Sequence, residues 1–115
     1  MVVDDVESLR WDDTADVVVV GLGAAGLTAA IEARERGADV LVVDRFEGGG
    51  ATAVSGGVFY AGGGTHIQED AGVHDTVDDM FDYLAMEVQD AVSPETLRHF
   101  CETSAENVRW LTDRG

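Results

Sequence analysis

A chain of 115 residues holds one domain at most and has room for a single core. Its 23 acidic and 7 basic residues give a net charge of -16, and every basic residue is an arginine. That balance excludes a nucleic-acid partner, which needs cations to replace phosphate counterions, and argues against docking on an anionic membrane. One cysteine rules out an internal disulfide framework, and the ligands of a structural zinc site are lacking, so no metal is expected. An apolar fraction of 45% is that of an ordinary globular chain. The acids are scattered rather than gathered in blocks of about five or six, which reads as a solvated surface before a lure for a basic partner.

Residues 1–14 are polar and acid-rich and read as an N-terminal arm, with Leu9 and Trp11 as anchors. The charge-free stretch Val17–Ile31 has fifteen residues, short of the roughly 20 that span a bilayer. The flank before it, Asp12, Asp13 and Asp16, is acidic where a signal peptide is basic. The expectation is a cytoplasmic chain. The β-branched run Val17–Val20 fits a strand buried on both faces. Gly21-Leu22-Gly23-Ala24-Ala25-Gly26 follows it directly. A helix-forming segment, Leu27 to Arg36, is closed by Gly37 in a capping position. Val40–Val43 is a second strand, ending at Asp44. Strand, turn, helix and strand in about thirty residues make a βαβ unit.

Residues 47–64 are rich in glycine, but Val54, Val58, Phe59 and Tyr60 between the glycines mark an ordered loop rather than a linker. Two helices close the chain. The first is capped by Asp75 or Thr76 and carries an apolar stripe of Val77, Met80, Phe81, Leu84, Ala85 and Val88. The second starts with Ser93 and Pro94 and buries Leu97, Phe100, Cys101, Ser104, Val108 and Leu111. The predicted fold is α/β: a Rossmann-like segment over 15–75 with a glycine-rich loop, and a helical segment over 76–115, together an incomplete domain.

The pattern Gly21-x-Gly23-x-x-Gly26 is weak alone, but here it leaves a strand and opens a helix, the context it requires. Gly21 permits the tight turn, Gly23 leaves room for a pyrophosphate against the backbone, and Gly26 lets helix and strand pack closely. The free N–H groups near Ala24 and Ala25 then face the phosphates, with the helix dipole in place of a lysine. Asp44 follows Gly21 by 23 residues; a carboxylate there accepts both hydroxyls of an adenosine ribose and repels a 2′-phosphate. Arg45 is a candidate to lie over the adenine or near the phosphates. These residues permit either FAD or NAD. The second glycine stretch, Gly49-Gly50-Ala51-Thr52-Ala53-Val54-Ser55-Gly56-Gly57, tips the reading to FAD, because small residues allow a planar ring or phosphate to approach and Thr52 and Ser55 add hydroxyls.

The motifs DVVVVGLGAAGLTAAIEARERGADVLVVDR and GGATAVSGGVFYAGGG resemble the flavoprotein family of fumarate reductases, succinate dehydrogenases and 3-ketosteroid dehydrogenases, with the second motif most similar to the ketosteroid branch. The resemblance implies noncovalent FAD, since relatives with a covalent flavin use a histidine where this chain has Gly49-Gly50-Ala51. It implies that Gly21, Gly23, Ala24, Ala25 and Gly26 hold the pyrophosphate and Asp44 the ribose. Ala51 and Thr52 would then contact phosphate, and Ser55, Gly56 and Gly57 would line the flavin. Many relatives carry Thr or Ser where Ala51 stands. The family's substrate-acting groups lie beyond the stretch matched, so the chain is expected to be an N-terminal piece without the catalytic acid or base.

The implied function is the FAD-binding part of an oxidoreductase acting on a C–C bond next to a carbonyl, with a steroid or enone substrate. The alternatives are a fumarate reductase-like segment and a non-catalytic dinucleotide-binding module. Tyr60 reads as a packed core aromatic, His66 and His74 as surface histidines, Cys101 as a small buried hydrophobe, and Met80 and Met86 as core or interface filler. An incomplete domain should also expose apolar strand and helix faces, which the remainder of a parent chain or a homo-oligomer would cover.

Overall fold

The computed structural model describes residues 7 and 9–115. The expected arm therefore lies partly outside the described residues; Trp11, within them, is exposed. The chain forms two compact units that divide between Val58 and Phe59.

In the first unit, strand β1 (Val17–Val20), helix α1 (Ala24–Glu35) and strand β2 (Val40–Val43) form the βαβ element. The strands pair in parallel with Val17 opposite Val40 and Val20 opposite Val43. Helix α1 starts three residues before the Leu27 read from the sequence, because Gly23 takes the cap position directly after the turn. It ends in a Schellman motif: Gly37 adopts φ +89°, its N–H donates to Arg34, and the N–H of Ala38 donates to Ala33. The strands are not buried on both faces. Val17 and Val19 are half-buried on the side where α1 packs, whereas Val18 is 56% and Val20 83% exposed. A sheet of two strands has one helix to cover it here, so each outward valine forgoes half or more of the roughly 2 kcal/mol that full burial yields. Within the glycine-rich stretch, Gly50–Ala53 forms one short helical turn, α2.

The second unit holds α3 (His66–Asp70), α4 (Val77–Val88), a 3₁₀ turn (Gln89–Ala91) and α5 (Pro94–Thr112). Thr76 caps α4 by accepting the Asp79 N–H at 3.1 Å, and Ser93 caps α5 by accepting that of Thr96 at 3.2 Å. Met80, Leu97 and Cys101 form the core, with Val77, Phe81, Leu84, Ala85, Val88 and Val92 against it. The expected stripes are thus in place, with Phe100 and Leu111 at their exposed edge. Burial pushes the Cys101 thiol above its usual pKa, as suits a packing residue. Met86 is 71% exposed and takes no part in the core. Among the described residues no helix is long and apolar enough to cross a membrane.

Helix α3 was not anticipated. Its cause is a capping box: the Thr65 hydroxyl accepts the Gln68 N–H at 3.2 Å, and the Gln68 side chain accepts the Thr65 N–H at 2.9 Å. The same Gln68 donates to Asp75 Oδ2 at 2.7 Å, which also accepts the Gly63 N–H at 2.7 Å. The buried Ser104 hydroxyl accepts the Gly62 N–H at 3.1 Å. Gly62–Thr65 is therefore held to its own unit by polar side chains. The Gly63 and Gln68 hydrogen bonds draw the Asp75 carboxyl below its ordinary pKa of 3.8.

Replacing Asp75 with Ala strands the Gly63 N–H and the Gln68 amide, and is expected to cost about 2 kcal/mol in urea unfolding. Asn, which keeps an acceptor oxygen, should cost less. A carboxyl with a depressed folded pKa stabilises above its unfolded value and loses that contribution as pH falls through the folded one. The gap between wild type and Asp75→Asn should therefore be full above pH 3.8 and close as the pH drops further below it.

Candidate functional site

The turn between β1 and α1 is shaped by two glycines. Gly21 adopts φ +102°, a region that penalises any side chain, while its N–H continues the sheet by donating to Val43 at 2.8 Å. A Cβ on Gly26 would overlap the carbonyl oxygen of Gly21 and stand 3.2 Å from Val19 Cγ1, so helix and strand meet at a distance only glycine permits.

Gly23 occupies the helix cap with no side-chain hydrogen bond, and no acidic residue lies in the first turn of α1. A Cβ on Gly23 would meet nothing within 4 Å, and its φ of -88° is ordinary for any residue. Open space is therefore what the small residue preserves. The N–H groups of Ala24, Ala25 and Gly26 cannot be satisfied within the helix. That of Ala24 donates to the Thr52 hydroxyl at 3.3 Å.

Asp44 sits directly after β2. Its Oδ2 accepts the Leu22 N–H at 2.6 Å and its Oδ1 the Phe46 N–H at 2.8 Å. These bonds, the Leu22 one first, lower its pKa from the ordinary 3.8, so it is ionised at neutral pH. Asp44 and Arg45 line an open cleft of about 390 Å³ with Val20, Gly21, Val43 and Phe46, at the C-terminal ends of both strands. This is where open α/β sheets take their ligands. The Arg45 guanidinium lies 4.6 Å from the Phe46 ring centre. Phe46, Val20 and Val43 also line the cleft; for Phe46 the signal in the sequence is an aromatic three residues past the end of a βαβ strand.

The second glycine stretch folds against the turn. The Gly49 N–H donates to the Leu22 carbonyl at 2.6 Å, and a Cβ on Gly50 would lie 3.2 Å from Gly23 Cα. Ala51 and Thr52 continue α2, which ends with the Ser55 hydroxyl donating to the Thr52 carbonyl at 2.8 Å and accepting the Gly57 N–H at 3.3 Å. Gly56 and Gly57 are exposed, and a Cβ on either would meet nothing within 4 Å. The fold thus gathers Gly21, Gly23, Ala24, Asp44, Gly49, Gly50 and Thr52 around one turn, with Arg45 on the adjacent cleft and Ser55–Gly57 leading away.

Tyr60, His66 and His74 lie outside this cluster. Tyr60 is 53% exposed and is not a packed core aromatic, because the residues around it on Phe59–Gly115 leave half its ring uncovered. His74 is exposed, as expected. His66 is half-buried, and its Nδ1 is enclosed without a hydrogen-bond partner among the described residues, so it is not a plain surface histidine.

Comparison with known proteins agrees with the two motifs. The family described as FAD binding domain matches residues 16–115. The chain is 48% identical over 113 residues to the 3-oxo-5-alpha-steroid 4-dehydrogenase of Comamonas testosteroni, covering 98% of this chain and 21% of that protein. It is 34% identical over 100 residues to the NADH:fumarate oxidoreductase of Klebsiella pneumoniae (strain 342), covering 87% of this chain and 11% of that one. Among solved structures, the 3-ketosteroid-delta4-(5alpha)-dehydrogenase from Rhodococcus jostii RHA1, in complex with 4-androstene-3,17-dione, matches with a TM-score of 0.85 at 44% identity, over 94% of this chain and 23% of that one. The chain spans about a fifth of the length of the steroid dehydrogenase relative.

The close approach at Gly26 sets up a direct test. Gly26→Ala forces α1 away from β1 and is expected to lower stability by about 1–3 kcal/mol, read as a fall in the urea midpoint at unchanged slope.

Proposed function

The chain belongs to the family of FAD binding domains, and from that premise we propose that the turn at Gly21–Gly26 holds the FAD diphosphate. The observation that carries this reading is the open backbone at Gly23, beneath a helix tip free of acids and beside an ionised carboxylate at the strand ends. The residues fit the cofactor. Backbone N–H groups of Gly23, Ala24, Ala25 and Gly26 supply donors for the diphosphate. Asp44 retains acceptor capacity for the ribose hydroxyls. Arg45, in the cleft with Phe46, is positioned for the adenine side. Gly49, Gly50, Ala51 and Thr52 bring small side chains and one hydroxyl to the phosphates. Ser55, Gly56 and Gly57 serve the flavin side. Residues 47–57 contain no His, Cys or Tyr to carry a covalent flavin link, which supports noncovalent binding.

For the whole protein we propose a flavin-dependent oxidoreductase acting at a C–C bond next to the carbonyl of a 3-ketosteroid. Identity of 48% across 98% of this chain to a steroid dehydrogenase supports that substrate class. When bound, the flavin supplies a centre that accepts or gives a hydride. This chain's own part is to bind and orient the cofactor: the helix tip neutralises the diphosphate, the carboxylate fixes the sugar, and the glycine stretch lets the ring approach the backbone. A fumarate-like dicarboxylate is the second reading, favoured by the 34% identity to the fumarate oxidoreductase.

Full-length protein is expected to purify with a visible flavin absorbance band and to rebind FAD after deflavination. Gly23→Ala should leave the unfolding free energy of the deflavinated protein within about 0.5 kcal/mol of wild type, because its Cβ enters open space at a permitted φ. The same change should weaken FAD by tenfold or more, about 1.4 kcal/mol. Undiminished FAD affinity in that variant would overturn the assignment of the diphosphate to this turn. Anaerobic mixing with a saturated 3-ketosteroid should bleach the flavin band, whereas a response to succinate alone would favour the dicarboxylate reading.

A further inference from the structure

Leu22 lies between Gly21, at a φ of +102°, and Gly23, the N-cap of α1, so glycines flank it on both sides. Both of its main-chain groups are nonetheless held from outside the turn. Its N–H donates to Asp44 Oδ2 at 2.6 Å, and its carbonyl accepts the Gly49 N–H at 2.6 Å. One residue past Gly23, the Ala24 N–H is engaged by Thr52. Asp44 is itself fixed, since its second oxygen accepts the Phe46 N–H at 2.8 Å. A carboxylate between two backbone donors is a rigid strut, and charge-assisted bonds of this kind are about twice as strong as neutral ones.

We propose that Asp44 is a positioning residue for the diphosphate-binding turn, acting through the Leu22 amide in addition to any bond it makes to a nucleotide sugar. The inference rests on the reading that a dinucleotide occupies this turn. Its stoichiometry is sound: an ionised carboxylate offers about four lone-pair sites, of which the backbone uses two, so sugar hydroxyls and the turn share one side chain without competing. Binding of the sugar and shaping of the diphosphate site are then linked through one group. Loss of Asp44 should weaken ligands that never touch it.

Two nucleotides separate the roles, measured by calorimetry on deflavinated full-length protein. ADP carries both ribose hydroxyls; 2′,3′-dideoxy-ADP carries the same diphosphate and neither hydroxyl. Asp44→Ala removes both backbone bonds. Asp44→Asn keeps the shape with one acceptor oxygen, and carries the comparison if the alanine variant does not fold. Both variants are expected to bind dideoxy-ADP at least about tenfold more weakly than wild type does, the loss of one charge-assisted bond. Amide exchange at Leu22 should also quicken in the ligand-free variants. Dideoxy-ADP affinity equal to wild type, with only ADP weakened, would overturn the inference, leaving Asp44 a sugar ligand alone and the proposed function standing. Wild-type protein that takes up neither nucleotide would instead sink the proposed function, and this inference with it.

Discussion

The contact that governs the rest is the one between Gly26 and the Gly21 carbonyl. Helix α1 can lie against β1 at this distance only while position 26 lacks a Cβ. With the helix so close, its first turn projects directly beyond the end of the strand, and its unsatisfied N–H groups collect at the C-terminal edge of the sheet. Asp44, at the end of the neighbouring parallel strand, then reaches the Leu22 amide across 22 positions of sequence. A wider helix–strand spacing would move the helix tip and the carboxylate apart, and the cleft between the strand ends would lose one wall.

Much of this was legible because it depends on period and on glycine. Four successive valines, a G-x-G-x-x-G turn, a second β-branched run and a terminal aspartate have few alternative arrangements, and the strands and α1 follow them within a few residues. The stripes of α4 and α5 were equally readable, from helical spacing and from the Ser93-Pro94 start. What escaped depends on partners that local sequence does not display. Thr65-x-x-Gln68 is a capping box, but the short segment behind it has no apolar period to draw attention to a helix. Tyr60 and the outward valines are chemically suited to a core; their exposure follows from the shortage of covering layers. The hold of Asp44 on Leu22 is a bond to backbone, and backbone donors look alike in every sequence. The aspartate was recognisable as a ligand for a sugar, and its grip on the turn was not.

The bare face of the sheet has a physical meaning of its own. A doubly wound fold covers both faces of its parallel strands with helices, and two strands with one helix supply only half of that arrangement. Val18 and Val20 remain open for this reason, and Ala30 is the sole buried apolar residue among the described residues up to Val58. The second unit, by contrast, has a cluster that two amphipathic helices close between them. The segment that would carry the cofactor is thus the less self-sufficient of the two. The Gly21–Gly26 turn relies on its hydrogen bonds with Asp44, Gly49 and Thr52 for the definition that a thicker core would otherwise provide.

A net charge of -16 is a poor beginning for gripping a diphosphate, but within the first unit two of the acids stand away from the turn. Asp16 and Asp39 stand at the N-terminal edge of the sheet, where the Asp39 N–H donates to Asp16 at 2.8 Å and Arg34 approaches Asp39 at 3.8 Å. The turn lies at the opposite edge, with Gly21 five positions beyond Asp16 and so about 17 Å along the strand. That exceeds the screening length of about 8 Å at physiological ionic strength, so those acids scarcely act on an anion at the turn. Asp44, which borders the turn, has each oxygen facing a backbone N–H, which offsets part of its field. The first turn of α1 is itself free of acids, so the peptide dipoles at Gly23 meet no carboxylate of their own helix turn. A strongly acidic protein can therefore present an anion site without a single lysine, provided the site is made of backbone.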